Sequence, residues 1–235
     1  MLLGVRTDTD DGEGRVIERA DVSSVRRADV EAVFATFVGA IEQVPPMVSA
    51  IKKNGTPLYV LARKGIVVDR EPRSVMVERL RLGRFEPPLA EFDIVCSSGT
   101  YVRTLAADVG SALGCGAHLA SLVRVRVGRF RIEDAVSLQE VESRRADLGT
   151  LGCSMLDVLA PAPVLVATPD ETRALSLGTA ISVGRERLPE ELPNLVRVTP
   201  DGVTLLAVAE VVREDAGDRC GPVILQPIRV FAQES

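Results

Sequence analysis

The stretch Cys96-Ser97-Ser98-Gly99-Thr100-Tyr101-Val102-Arg103-Thr104-Leu105 carries the local signals that decide the fold of this 235-residue chain. Residues 91–97 have the apolar character of a short buried strand, and Ser98-Gly99 is typical of a turn. A helix is predicted from residue 100 to residue 113, where Gly114 can take the left-handed conformation that ends it. Working outward from this turn, we expect a fold in which strands and helices alternate irregularly.

The neighbouring elements extend that prediction. An apolar stripe at helical spacing predicts a helix over residues 26–37, and a proline and a glycine bracket a second helix over 57–65. Alternation predicts a strand over 73–85 and, most clearly, over 119–127, where Val123, Val125 and Val127 share one face and Leu122, Arg124 and Arg126 the other. The fold class predicted is α+β, with a mixed, mainly antiparallel sheet and flanking helices.

The composition changes at Ala160-Pro161-Ala162-Pro163, which predicts a domain boundary. We therefore expect one domain over residues 1–160 and a second over 161–235. In the second, a helix is expected over 169–177 and strands over 195–198, 203–212 and 222–231. That spacing favours a small β-barrel-like domain.

Several classes of protein are excluded by what the chain lacks. It has no run of eighteen apolar residues, and the acidic residues close behind Met1 argue against a signal peptide, so we expect a cytoplasmic protein. Its four cysteines are scattered and it has one histidine, which argues against a metal site. No glycine-rich phosphate-binding motif occurs, so no cofactor is expected.

Charge is distributed unevenly along the chain. The net charge is −5, yet residues 43–131 hold fourteen Lys or Arg and seven Asp or Glu, a local charge of +7. A basic middle between acidic flanks can bind a polyanion such as RNA, because association follows the local field. A solvated, salt-bridged surface is the alternative interpretation.

The polar rings all lie in this basic middle. Tyr101 and Arg103 can cooperate at the strand-to-helix turn, where the ring stacks on a base and the guanidinium binds a carboxylate or phosphate. The alternative is a packed tyrosine beside an exposed arginine. Lys52 and Lys53 form a basic turn that either contacts RNA phosphate or is merely solvated. His118 has no ligand or catalytic partner nearby and is predicted to be structural.

Ordered blocks of sequence over residues 3–131 resemble the TruB-type pseudouridine synthases. The blocks are Arg6-Thr7-Asp8-Thr9-Asp10-Asp11-Gly12-Glu13-Gly14, Phe37-Val38-Gly39 with Gln43-Val44-Pro45-Pro46-Met47-Val48-Ser49-Ala50-Ile51-Lys52, the helix over 58–66, and the stretch from Cys96 through His118 to Gly128. The end of the chain resembles, more weakly, the PUA-type RNA-binding β-barrel of that family.

The resemblance implies isomerisation of a uridine at position 55 in the T-loop of tRNA, with the base flipped out of its stack. It assigns Tyr101 to packing on the base, Arg103 to pairing with the nucleophilic aspartate, and Leu122 to an apolar contact with the uridine. Arg124 and Arg126 share the face of Leu122 and could meet phosphate. The expected partner is the T-arm of tRNA, bound by a monomer without metal or cofactor.

One departure from the family pattern is large. The family's nucleophile lies in a glycine-rich Leu-Asp-Pro motif upstream of the acidic turn, and these 235 residues contain no such motif. We therefore expect the isolated chain to be inactive, as an N-terminally incomplete synthase or, alternatively, as a tRNA-binding protein that does not modify its substrate. We also expect an exposed sheet edge near Leu2 and Leu3.

Overall fold

A computed structural model describes residues 1–145, 148–212 and 221–231. The chain divides into two compact units, Met1–Glu133 and Asp134–Ser235. The predicted domain boundary at residue 160 stays a prediction.

The first unit is an α+β structure built on one five-stranded antiparallel sheet. Its helices are α1 (Arg27–Thr36), α2 (Leu58–Arg63) and α3 (Val102–Ala112). Its strands are β1 (Leu2–Leu3), β2 (Val5–Thr7), β3 (Val16–Arg19), β4 (Gly39–Gln43), β5 (Lys52–Lys53), β6 (Thr56–Pro57), β7 (Arg73–Glu86), β8 (Leu89–Cys96), β9 (Ala117–His118), β10 (Arg126–Val127) and β11 (Phe130–Arg131). The large sheet has the order β4-β7-β8-β1-β9, and the pairs β2-β3, β5-β6 and β10-β11 form small ribbons.

Helices α1 and α3 contact each other and the sheet, and they build the core of this unit. Val30 and Phe34 on α1 are buried with Leu105 and Val109 on α3. Phe34 also packs edge-on against the Phe92 ring, with ring centroids 5.8 Å apart. The apolar stripe predicted for residues 26–37 and the helix predicted after the turn at residue 99 are thus confirmed.

The expectation of an exposed sheet edge at Leu2 and Leu3 was wrong. Strand β1 lies inside the sheet, paired with β8 on one side and β9 on the other. Leu3 is 1% exposed, and the Met1 ammonium donates to the Ala90 carbonyl over 2.7 Å. The first residues of the chain are therefore part of the core.

The predicted strand over 119–127 is also wrong for most of its length. Only Ala117–His118 and Arg126–Val127 are strands, while residues 120–125 are exposed and outside any ladder. Leu119 instead joins the acidic turn, donating its amide to the Asp10 carbonyl and accepting from the Gly12 amide. Alternation gives a segment two different faces, but a strand also needs a neighbouring backbone.

The second unit has a five-stranded sheet of order β12-β14-β15-β16-β13. Its strands are β12 (Val164–Val166), β13 (Ile181–Val183), β14 (Leu195–Thr199), β15 (Ala207–Val212) and β16 (Val223–Val230), and its helices are α4 (Leu138–Ser143), α5 (Leu148–Leu151), α6 (Met155–Val158) and α7 (Pro169–Ser176). The strands predicted from residues 195, 203 and 222 are confirmed except for residues 203–206. Helix α7 begins at a capping box formed by Thr168 and Glu171.

Candidate active site

An acidic turn over residues 7–15 forms the base of the site. Thr9 donates its hydroxyl to the Asp11 carboxylate over 2.8 Å, and Thr7 donates to the Asp11 carbonyl over 2.7 Å. A Cβ on Gly14 would lie 2.2 Å from the Thr9 hydroxyl oxygen, so only glycine fits where the turn folds back on itself. This internal bonding fixes the direction of the Asp11 carboxylate.

Arg103, in the first turn of α3, pairs with that carboxylate. Its Nη1 lies 3.1 Å from Asp11 Oδ2, and its Nη2 donates to the Val48 carbonyl. The two charged side chains are 22% and 29% exposed, so their ion pair is partly shielded from water. Burial opposes ionisation of Asp11, but hydrogen bonds from Thr9, Arg103 and the Glu13 amide outweigh it and hold the pKa of the Asp11 carboxyl below its ordinary value.

Tyr101 is held by its backbone. Gln43, at the end of β4 and 2% exposed, accepts from the Tyr101 amide over 3.0 Å and donates to the Tyr101 carbonyl over 3.3 Å. Tyr101 is the N-cap of α3, with extended backbone angles and no capping side chain of its own. The buried side-chain amide of Gln43 therefore bonds both backbone groups of Tyr101 and fixes the backbone at the point where α3 begins.

A cleft of about 810 Å³ opens beside the Asp11–Arg103 pair. Arg103 lies in its wall together with Arg15 and Arg63, and the Arg63 guanidinium stands over the Tyr59 ring at 5.5 Å from the centroid. The lining also includes apolar side chains and three polar ones, namely Met47, Val48, Ile66 and Val67, and Asp8, Thr9 and Ser49. A wall of this composition suits a ligand that carries both apolar rings and negative charge.

Two further carboxylates lie near this pair, Asp10 in the acidic turn and Asp108 on α3. Burial raises the pKa of Asp10, although Arg103 and Arg6 oppose the shift. Burial and the nearby Asp10 charge raise the pKa of Asp108 on α3 to about 6. Both shifts favour the neutral acid, which is the opposite of what the Arg103 pair does to Asp11.

Neither Tyr101 nor the remaining predicted site residues are among the residues that line this cleft. Leu122, 54% exposed, and Arg124 lie in the irregular segment 120–125, while Arg126 begins β10. Lys52 and Lys53 are exposed on β5, where the Lys53 ammonium donates to the Asp69 carbonyl over 2.6 Å. Their roles stay predictions.

His118 fulfils the structural role expected of it. The ring is 6% exposed on β9, and its Nδ1 lies 2.8 Å from the Val5 carbonyl oxygen. This contact ties β9 to β2 next to the acidic turn.

Two residues that sequence reasoning did not assign to the site are Gln43 and Asp11. In the sequence, Asp11 is one of several acidic residues of its turn, and Gln43 is one residue of a family block. A glutamine at the end of a strand signals nothing by itself, because its partner Tyr101 is 58 residues away. The single available signal was the presence of both residues in the blocks that carry the family resemblance.

Within ranges 1–145, 148–212 and 221–231, no group of three or more His, Cys, Asp or Glu side chains could hold a metal ion. Among the helices of those same ranges, none is both long enough and apolar enough to cross a membrane.

Comparison with known proteins gives consistent matches along the chain. The family model described as TruB family pseudouridylate synthase (N terminal domain) matches residues 1–102, and the tRNA pseudouridylate synthase B C-terminal domain matches residues 103–165. A relative from Symbiobacterium thermophilum, named tRNA pseudouridine synthase B, is 52% identical over 151 residues, which are 63% of this chain and 50% of the relative. One of the same name from Syntrophotalea carbinolica is 39% identical over 224 residues, 93% of this chain and 73% of the relative.

Solved structures support the fold. A chain in the crystal structure of a Cbf5-Nop10-Gar1 complex superposes with a TM-score of 0.64 at 21% sequence identity, covering 88% of this chain and 63% of that one. This likeness shows a shared fold. The chain spans about half the length of several relatives that it matches. With two family models along residues 1–165 and relatives aligned over nearly its whole length, the chain belongs to the TruB family of pseudouridine synthases.

Proposed function

We propose that this chain is the substrate-holding part of a tRNA pseudouridine synthase that isomerises the T-loop uridine at position 55. The observation that carries the proposal is the arrangement at the start of α3, where Tyr101 is fixed by Gln43 and Arg103 is fixed by Asp11. An aromatic ring and a guanidinium two residues apart provide a stacking surface and a fixed positive charge for one flipped nucleotide.

The proposed roles are those that the family resemblance implies. Tyr101 packs against the flipped base, and Arg103 supplies the charge that orients a carboxylate nucleophile beside the sugar. Leu122 provides an apolar contact to the uridine, and Lys52, Lys53, Arg124 and Arg126 meet phosphates of the T-arm. The chain acts as a cytoplasmic monomer without metal or cofactor, and residues 161–235 act as a PUA-like RNA-binding domain.

The isolated 235 residues are proposed to bind without converting the substrate. They contain no Leu-Asp-Pro motif. Arg103 already has Asp11 as its partner, and Asp11 is bound by Thr9, Arg103 and the Glu13 amide. A carboxylate that accepts three hydrogen bonds and whose pKa is lowered is a weak nucleophile, so Asp11 positions Arg103 rather than attacking the sugar.

Release of tritium from uridine labelled at C5 tests the proposal, because isomerisation replaces the C5–H bond with a bond to the sugar. We expect no release by the 235-residue chain. We expect release once the chain is extended at its N-terminus with the Leu-Asp-Pro segment of the Symbiobacterium thermophilum relative. Arg103→Lys in the extended protein should lower the rate at least 100-fold, because lysine cannot make the two-point contact.

The same experiment distinguishes the second candidate function, a tRNA-binding protein that does not modify RNA. That candidate is favoured by the missing Leu-Asp-Pro motif. An extended protein that folds and binds T-arm RNA but releases no tritium would support it. Release by the unextended chain would contradict the assigned role of Asp11.

A further inference from the structure

The hairpin formed by β10 and β11 places like charges directly opposite each other. Arg126 and Arg131 are cross-strand partners, and the next pair is Val127 with Phe130. The Ile132 amide donates to the Val125 carbonyl over 2.9 Å, so the pair flanking the arginines on that side is hydrogen-bonded. Arg126 and Arg131 therefore occupy a non-hydrogen-bonded position, where opposed side chains lie closest, with Cα atoms ~4.5 Å apart.

Glu133 balances only part of the charge of this pair. Residues 120–132 contain four arginines and no acidic residue, and all four arginines are exposed: Arg124, Arg126, Arg129 and Arg131. The nearest acid, Glu133, lies 3.6 Å from the Arg131 guanidinium, with both side chains about two-thirds exposed. Arg129 stacks on the neighbouring Phe130 ring, 5.2 Å from its centroid.

Like charges in directly opposed cross-strand positions destabilise a ribbon, and a two-stranded hairpin has little other stabilisation. By contrast, Arg81 on β7 faces Asp93 on β8, the arrangement expected where only folding matters. The opposed arginines of the hairpin are therefore better explained by binding to a polyanion than by a contribution to folding. Two guanidinium groups that project from one face can bind one phosphate or two consecutive phosphates.

We propose that the β10–β11 hairpin is a phosphate-binding element, in which Arg126 and Arg131 together hold the RNA backbone of the substrate stem. The hairpin follows Leu119, which is bonded to the acidic turn that holds Arg103. RNA that enters the candidate active site would thus have its backbone near this hairpin. The inference rests on the proposed function and adds a second anchoring point outside the cleft.

Binding of a synthetic T-arm RNA stem–loop, measured between about 50 and 200 mM KCl, tests the inference. Each lost phosphate contact should reduce the slope of log affinity against log salt by about 0.7–0.9. Arg126→Gln and Arg131→Gln should therefore each lose about threefold more affinity at the low-salt end than at the high-salt end. Arg126→Glu should weaken binding further. The denaturation midpoint of this variant should stay equal or rise, because the carboxylate now faces Arg131.

Arg81→Gln is the matched control, since it removes one exposed cross-strand arginine from the same unit. It should leave the salt slope unchanged. Equal slopes for wild type, Arg126→Gln and Arg131→Gln, with wild-type binding intact, would overturn the hairpin inference and leave the proposed function standing. A control slope reduced as much as the hairpin slopes would also overturn it. Failure of the wild-type chain to bind the RNA would overturn both.

Discussion

Replacing Gln43 with leucine should loosen Tyr101 without touching the tyrosine itself. Leucine is close to glutamine in size but can neither accept from the Tyr101 amide nor donate to its carbonyl. The carbonyl keeps its helical bond from the Leu105 amide at 3.0 Å, so most of the cost falls on the orphaned amide. A buried donor without a partner costs about 1–3 kcal/mol, and Gln43 is 2% exposed. We expect the free energy of unfolding of the first unit to fall by about 2 kcal/mol.

Tyrosine fluorescence reports the unfolding of the first unit and can therefore measure this loss of stability. The chain has no tryptophan and two tyrosines, both in the first unit, so Tyr59→Phe leaves Tyr101 as the only tyrosine. In that background, urea denaturation followed by tyrosine fluorescence should show a lower midpoint for Gln43→Leu at an unchanged slope. The near-ultraviolet circular dichroism of Tyr101 should also weaken in the native state, because the ring is no longer held in one position.

Two further variants, Gln43→Glu and a substitution of a distant glutamine, extend the test. The protonated carboxyl of the variant can still donate to the Tyr101 carbonyl. The ionised carboxylate cannot donate, and one of its oxygens then repels the Tyr101 carbonyl oxygen. Gln43→Glu should therefore approach wild-type stability near about pH 5 and lose it by about pH 8. Gln226→Leu, at an exposed position of β16 in the second unit, should leave the tyrosine-detected midpoint unchanged. The reasoning is refuted if Gln43→Leu matches wild type within about 0.5 kcal/mol with the Tyr101 dichroism intact.

Two further predictions concern α3. Because the pKa of Asp108 rises from 3.8 to about 6 on folding, the native state binds the proton more tightly, and stability should fall as pH rises between those values. Asp108→Asn should abolish that dependence and, after allowance for solvent screening, stabilise the first unit by about 1 kcal/mol at pH above 7 in urea titrations; a variant with the wild-type pH profile would contradict this. A Cβ on Gly110 would lie 2.2 Å from the Ala117 amide nitrogen, so Gly110→Ala should cost about 2 kcal/mol or more despite the helix propensity of alanine. Gly149→Ala, where a Cβ meets nothing within 4 Å, is its control, and equal melting of the two variants would show that α3 can shift away from β9.

The elements predictable from sequence are those whose signals are local. Helix α7 could be predicted from Pro169 at its start and Gly178 beyond its end, since capping and left-handed turns depend on a few neighbouring residues. Strand β7 could be predicted because Val75, Val77 and Leu80 are buried among charged residues along it. In both cases the sequence pattern and the tertiary environment require the same local structure.

The elements that could not be predicted depend on distant partners. Residues 120–125 alternate like a strand but have no ladder partner, and β1 is buried because β8 and β9 flank it. Asp11 and Arg103 are 92 residues apart, so their pairing is a property of the fold. The candidate site was thus predictable at the start of α3, where a turn leads into Tyr101, but the residues that hold Tyr101 and Arg103 in place were not.

We propose that Tyr101 packs on the flipped uridine of T-arm RNA. Quenching of Tyr101 fluorescence in the Tyr59→Phe protein measures this packing. T-arm RNA with uridine at the target position should quench Tyr101, because stacking brings base and ring together. The same RNA with an abasic site there should quench far less and bind at least about fivefold more weakly, as the loss of one stacked base implies. Equal quenching and equal affinity for the two RNAs would contradict the claim.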